Sequence, residues 1–215
     1  MLPKEYTNAP IKGTFRYAYE TIEYVLKNLN GKKALDFGCG TGRSSRVLKK
    51  LGAEVTGVDI RQDMIKGCKE QFPDSKFVLI GNKLPFQDNS FDIVIASFVH
   101  LEISNLVKIN EFTKEIFRVL KPGGNYLILT ANPEMWGNSY ETFSSGFPEN
   151  FNYKSGEKVN ITMKTIQGEI TFQDHYWKEK DYTRVIENIG FKVKKIRKIS
   201  AEKFPEPFLL ISSFK

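Results

Sequence analysis

The chain has 215 residues, of which 40% are hydrophobic and 27% charged, enough for one well-buried core in an ordinary globular protein. No stretch approaches the roughly 20 apolar residues of a membrane span, and no basic segment followed by an apolar one opens the chain, so no membrane partner and a cytoplasmic location are expected. Two cysteines and two histidines are too few for a disulfide framework or a structural zinc site, and no metal is expected. The net charge of +7 raises nucleic acid as a partner, but no nucleic-acid-binding module is visible.

The segment to Pro10 reads as a loose arm. From Thr14 the apolar positions Phe15, Tyr17, Ala18, Ile22, Val25, Leu26 and Leu29 have helical spacing, and Asn30-Gly31 stops the run. Lys33 to Phe37 is short and apolar, as a buried parallel strand is, and Arg43 to Lys50 is helix-compatible. Between them lie Gly38, Cys39, Gly40, Thr41 and Gly42, a tight turn of the kind that brings a ligand against bare backbone. The spacing G-x-G-x-G is not the dinucleotide fingerprint G-x-G-x-x-G, since Arg43 stands at its third glycine, and no G-K-[ST] follows to make a phosphate loop. Asp59 ends the next strand, Val55 to Asp59, where an acceptor-only carboxylate suits the two donors of a ribose diol. Cys39 is read as a small residue filling tight space.

Arg61 to Gln71 reads as a helix, Lys76 to Ile80 as the third strand and Phe91 to Phe98 as a fourth, apolar enough to be covered on both faces. Its carboxyl end, with Ser97, Phe98, Val99, His100 and Glu102, points to the crevice where open α/β sheets bind ligands. Asn105 to Leu120 is a helix ended by Lys121-Pro122-Gly123-Gly124, and Tyr126 to Ala131 is the fifth strand. Between Asn132 and Lys180 aromatic residues are dense, and two alternating runs, Lys158 to Met163 and Glu169 to Gln173, flank Gln167-Gly168 as a hairpin. A segment inserted on this side of the sheet makes a lid. Asp181 to Gly190 is a helix, and strands Phe191 to Ile199 and Phe208 to Phe214 close the chain. In the first of these strands Lys192, Lys194 and Lys198 share one face, which reads as a lysine-protected edge ahead of a phosphate-binding patch.

Asp36 to Gly42 resembles the first motif of class I S-adenosylmethionine-dependent methyltransferases of the type 11 kind, and Val58-Asp59-Ile60 resembles the second. Leu84 to Asp92 and Val119 to Gly124 are similar to two further signatures, so the resemblance spans roughly residues 30 to 132 in the family's order. It implies a Rossmann-like doubly wound sheet of seven strands, mostly parallel with an antiparallel C-terminal strand, to which the small β-rich lid is added. One domain over 1–215 is expected: an arm and covering helix at 1–31, a cofactor-binding core at 32–132, a lid at 133–180 and closing elements at 181–215.

The same resemblance implies S-adenosylmethionine as cofactor. Gly38, Cys39, Gly40 and Gly42 would line its methionine part, Asp36 would orient the amino group, Asp59 would take the ribose hydroxyls and Ile60 would pack on adenine. Ser97 or Phe98 would supply backbone contacts near the amino group, and the N-terminal helix would bring Tyr17, Tyr6 or Arg16 to the methionine carboxylate or the substrate. Family members often carry an acid where this chain has Ile80, so Asn82, with Lys83 and Leu84, is the candidate contact to adenine.

An activated methyl donor leaves the protein to position a nucleophile and exclude water, and a general base helps where the acceptor is a hydroxyl or ring nitrogen. The candidates are His175 with Tyr176, at the return of the lid, and His100 after the fourth strand. A small, flat apolar or cationic acceptor suits the aromatic lid. RNA or protein as acceptor and a non-catalytic binding role are the alternatives, and the chain is expected as a monomer or homodimer.

Overall fold

The fold is taken from a computed structural model, which describes residues 13–146, 152–165, 168–201 and 205–215. The expectations for the N-terminal arm, Tyr6 and Gln167 fall outside these residues. Seven strands form one sheet: β1 (Lys33–Phe37), β2 (Glu54–Asp59), β3 (Lys76–Leu79), β4 (Phe91–Ser97), β5 (Leu120–Ala131), β9 (Lys192–Ile199) and β10 (Phe208–Phe214). Their order is β3-β2-β1-β4-β5-β10-β9, and β10 alone runs antiparallel to its neighbours. The order reverses direction between β1 and β4, so a crevice opens beyond their carboxyl ends.

Five α-helices accompany the described strands: α1 (Thr14–Leu26), α2 (Arg43–Lys50), α3 (Gln62–Gln71), α4 (Leu106–Val119) and α5 (Glu179–Ile189). Strand alternation divides the core between the sheet's faces. Ala34, Ile93 and Ile95 pack with Ala18, Ile22 and Leu48 of α1 and α2, whereas Leu35, Val94 and Ala96 pack with Ile109 and Ile116 of α4 and Ile186 of α5.

A second, three-stranded antiparallel sheet contains β6 (Phe143–Ser144), β7 (Lys158–Thr165) and β8 (Gly168–His175), with β7 central. Phe143, Val159, Ile161 and Met163 join the same cluster as α1 and the carboxyl end of the main sheet.

Two boundaries and one face assignment differ from expectation for visible reasons. α1 stops at Leu26 because Lys27 turns left-handed (φ 55°), freeing the Leu29 amide to donate to the Leu51 carbonyl at 2.8 Å. Lys121 to Gly124 lie within β5, where the Gly123 amide donates to the Lys215 carbonyl at 2.9 Å. In β9 the pairing passes from Lys195↔Ser212 to Val193↔Ser213, so Lys194 is extra and the alternation changes phase. Val193 and Ile196 therefore both pack on the α4–α5 side, which corrects the face assignment of the lysine run, though β9 is indeed the sheet's edge.

Candidate active site

The turn after β1 builds one wall of the crevice. Gly38, Gly40 and Gly42 all take positive φ (68°, 49° and 80°), and Gly42 caps α2 in a left-handed conformation. They serve different needs. A Cβ on Gly42 would lie 2.6 Å from the Phe72 ring, whereas a Cβ on Gly40 would meet nothing within 4 Å, because Gly40 faces the open crevice.

Asp59 ends β2 on the opposite wall. Its Oδ2 accepts from the Gly40 amide and its Oδ1 from the Arg61 amide, both at 2.9 Å. Two backbone donors fix the carboxylate where it lines the cavity, with lone pairs left over for further donors. Ile60 beside it is 67% exposed, an unusual state for a large apolar side chain, and with Met64 and Ile80 it walls the same cavity. At the end of β4, Ser97 contributes a hydroxyl oxygen that is buried with no partner among the described residues. Phe98 follows at φ 60°, a strained conformation for an aromatic residue. The cavity so formed has a volume of about 220 Å³, and Tyr19 of α1 and Glu102 also line it. Glu102 sits at the mouth, and the surrounding protein, then the negative field of Asp59, raise its pKa.

A smaller cavity, about 60 Å³, shares Phe98 and Glu102 with the first. Its other walls come from α1 (Phe15), the small sheet (Phe143, Ile161, Met163, Phe172, Asp174) and the main sheet (Ala131, Phe208). Phe98 lies between the two, with its ring 5.5 Å from Phe15 and 5.3 Å from Phe208.

Several expected site residues lie elsewhere. Asp36 is fully buried beneath the turn, where the Ser44 hydroxyl donates at 2.8 Å and the Ser45 hydroxyl at 2.5 Å. Burial raises its pKa to about 6 against those bonds, and it braces the turn from outside the cavity lining. Asn82 and Lys83 are exposed and outside the cavity lining, and Leu84 is core. The cause is a clamp from α4. The Leu84 amide donates to Glu115 Oε2 at 2.9 Å, and Arg118 donates to the carbonyls of Leu84 and Phe86 at 3.0 and 2.7 Å. Tyr17 faces a groove beside Tyr24 and Arg197, and Tyr19 is the tyrosine of α1 that reaches the crevice. Cys39 lines the cavity as a free thiol, and a hydrogen bond with the Cys68 thiol, then burial, raise its pKa.

The base candidates also move. His100 is buried on the α4–α5 side with Nε2 3.1 Å from the Tyr126 hydroxyl, and burial lowers its pKa to about 4. It lines neither cavity. His175 donates from Nδ1 to the Leu101 carbonyl at 3.2 Å, and Tyr176 packs edge-on to Trp136 at 6.3 Å. Neither lines the cavities: alternation along β8 sends position 174 inward and 175 away, and Tyr176 lies beyond the end of the strand, against Trp136. Sequence reading missed Asp174 and Tyr19, each next to or two places from a residue it named. Among the described residues no group of three or more His, Cys, Asp or Glu side chains gathers to hold a metal ion.

A model of the methyltransferase domain family matches residues 35–128, the span from β1 through most of β5. Over this span, a little under half of the chain, the sequence is similar to a methyltransferase domain. N-demethylindolmycin N-methyltransferase of Streptomyces griseus is 28% identical to it over 189 residues, 83% of this chain and 75% of that protein. Demethylmenaquinone methyltransferase of Tropheryma whipplei (strain Twist) is 39% identical over 102 residues, 46% of this chain and 41% of that protein. The chain thus spans three quarters of the length of the first relative and less than half of the second. An S-adenosylmethionine dependent methyltransferase from Mesorhizobium loti shares the fold, with a TM-score of 0.69 at 16% identity, covering 93% of this chain and 98% of that one.

The crevice fits S-adenosylmethionine, the group for which that solved structure is named. It offers bare backbone at Gly40, a fixed carboxylate at Asp59, an exposed apolar wall at Ile60 and an unpartnered hydroxyl at Ser97. Among the described residues no helix is long and apolar enough to cross a membrane.

Proposed function

We propose that this methyltransferase acts on a small apolar or aromatic acceptor, held in the smaller cavity between α1, the small sheet and the end of β4. The carrying observation is that this cavity shares Phe98 and Glu102 with the cofactor crevice, so an acceptor held there would lie beside the methyl donor. Its volume is on the order of five times the room one water needs, suited to a ring or short chain and not to a polymer. That argues against RNA or protein as the acceptor, and the two curated relatives described above are named for small molecules.

When bound, S-adenosylmethionine supplies a methyl carbon on a cationic sulfur that leaves with the bonding electron pair. The chain's own residues bind, orient and exclude water. Gly40 lets the methionine part lie against backbone, beside Gly38, whose missing Cβ makes room for Val99, and Ser97 and the strained Phe98 backbone meet its polar end. Asp59, already oriented by two amides, accepts from the ribose hydroxyls. Ile60, Met64 and Ile80 sandwich the adenine, which would cover the exposed Ile60 surface. Adenine is then held by apolar contact in place of the usual acid. The small sheet and α1 form a lid that keeps water from the reacting atoms, so that positioning supplies much of the rate. Free thiols at Cys39 and Cys68 agree with a cytoplasmic location.

Calorimetric titration with S-adenosylmethionine and S-adenosylhomocysteine, beside NADH as control, tests this reading. Micromolar binding of the sulfur nucleotides alone is expected, with at least a tenfold loss of affinity in Asp59→Ala. Unchanged affinity in that variant would remove Asp59 from the ribose, and no binding in the wild type would favour a scaffold role.

A further inference from the structure

Four aspartates are buried among the described residues, and one of them differs from the rest. Asp36 accepts from two serine hydroxyls, Asp59 from two backbone amides, and Asp181 from the Ser155 hydroxyl and the Lys178 amide. Asp174 is only 9% exposed, yet among the described residues no donor or cation bonds to its carboxylate. A buried carboxylate without a partner is costly, and proteins ordinarily pair it or bond it. Burial and then the charge of Glu102 raise its pKa to about 7.

Its surroundings say what partner is missing. Asp174 faces the smaller cavity, whose walls include the rings of Phe15, Phe98, Phe172 and Phe208. Glu102, the cavity's other carboxylate, stands at the rim shared with the cofactor crevice. A cavity with aromatic walls and two carboxylates is complementary to a group that is apolar at one end and carries a cationic or N–H-bearing nitrogen at the other.

We infer that Asp174 binds the nitrogen of an amine acceptor and takes its proton, which makes the smaller cavity a site for aromatic or apolar amines. This rests on the reading of that cavity as the acceptor site. An ammonium entering the cavity pairs with the Asp174 carboxylate; one N–H bond breaks, an O–H bond forms on Asp174, and the nitrogen keeps the lone pair that attack requires. The proton leaves later to water past Glu102 at the rim. The charged pair forms only in the complex, so the cost of burying Asp174 is offset when an amine is present and not otherwise. A neutral hydroxyl acceptor of the same shape would offer Asp174 one hydrogen bond and no charge, and so bind more weakly.

Titration calorimetry with benzylamine and its neutral isostere benzyl alcohol, on the full chain saturated with S-adenosylhomocysteine, tests the assignment. The wild type is expected to bind benzylamine at least tenfold more tightly than benzyl alcohol, and Asp174→Asn to abolish that preference while its affinity for S-adenosylhomocysteine stays unchanged. The wild-type comparison stands even where the variant does not fold. Equal binding of the two probes, or an amine preference that survives in Asp174→Asn, would overturn the role of Asp174 and leave the small-acceptor reading intact. If S-adenosylhomocysteine binds but neither probe does, the cavity is not the acceptor site and both readings fall.

Discussion

His100 shows how burial decides what an ionisable residue can do. Its Nε2 meets the Tyr126 hydroxyl, its ring stacks edge-on to Tyr182 at 5.7 Å, and its Nδ1 has no partner among the described residues. Its pKa is near 6.5 in the unfolded chain and about 4 in the fold. Between these values the unfolded chain binds a proton that the folded chain does not. The contribution is therefore complete above pH 6.5 and is lost as pH falls toward 4, at up to about 1.4 kcal/mol per pH unit. Urea unfolding at pH 7 and pH 5 should show the wild type losing about 2 kcal/mol more than His100→Phe. Asp36, whose raised pKa works in the opposite direction, is common to both proteins and cancels in the difference. Equal losses would mean that the imidazole stays hydrated. At this scale sequence reading goes furthest astray, because an ordinary pKa near neutrality points to both histidines as bases while burial and strand alternation are settled by packing. Asp174 carries no such signal: a lone aspartate in an alternating run looks like a solvated strand residue.

The turn between β1 and α2 is the element where sequence and structure agree most closely, since G-x-G-x-G between an apolar run and a helix leaves the backbone little alternative. Its glycines are nevertheless not equivalent. Gly40→Ala has room for its methyl group and bears only the left-handed strain, about 1 kcal/mol, but the methyl would project into the crevice. Gly42→Ala bears the same strain and also drives a Cβ toward Phe72 and Cys68, costing about 3 kcal/mol. Denaturant unfolding should therefore rank Gly42→Ala as the less stable variant, and calorimetry should show Gly40→Ala losing at least tenfold in S-adenosylhomocysteine affinity. Wild-type affinity in Gly40→Ala would mean that the cofactor keeps clear of this backbone. The strands were legible for the same reason as the turn, through apolar runs of strand length. The clamp of Glu115 and Arg118 on Leu84 was not: an i,i+3 charge pair reads as helix surface, and only the folded chain brings it against residues some thirty positions away.

For the molecule as a whole, the decisive question is whether the small sheet is an independent flap or part of one cooperative core. Phe143, Val159, Ile161 and Met163 pack in the same cluster as Ile22 of α1 and Leu210 of β10, and Phe143 lies 5.7 Å from Phe208. Shared burial of this kind couples the two sheets, because opening one exposes apolar surface on the other. The two tryptophans report on opposite sides of the main sheet. Trp136 belongs to the cluster of α1 and the small sheet, and Trp177 to that of α4 and α5. In the variants Trp177→Phe and Trp136→Phe, each with one tryptophan left, fluorescence and far-ultraviolet dichroism should trace the same urea midpoint within each protein. An earlier fluorescence transition from Trp136, ahead of the dichroism of its own variant, would show the small sheet detaching first. Acceptor entry would then require the whole flap to lift. Coincident transitions instead confine the entrance to the rim near Glu102, and admission of the acceptor becomes a matter of side-chain motion at Phe98 and Phe15.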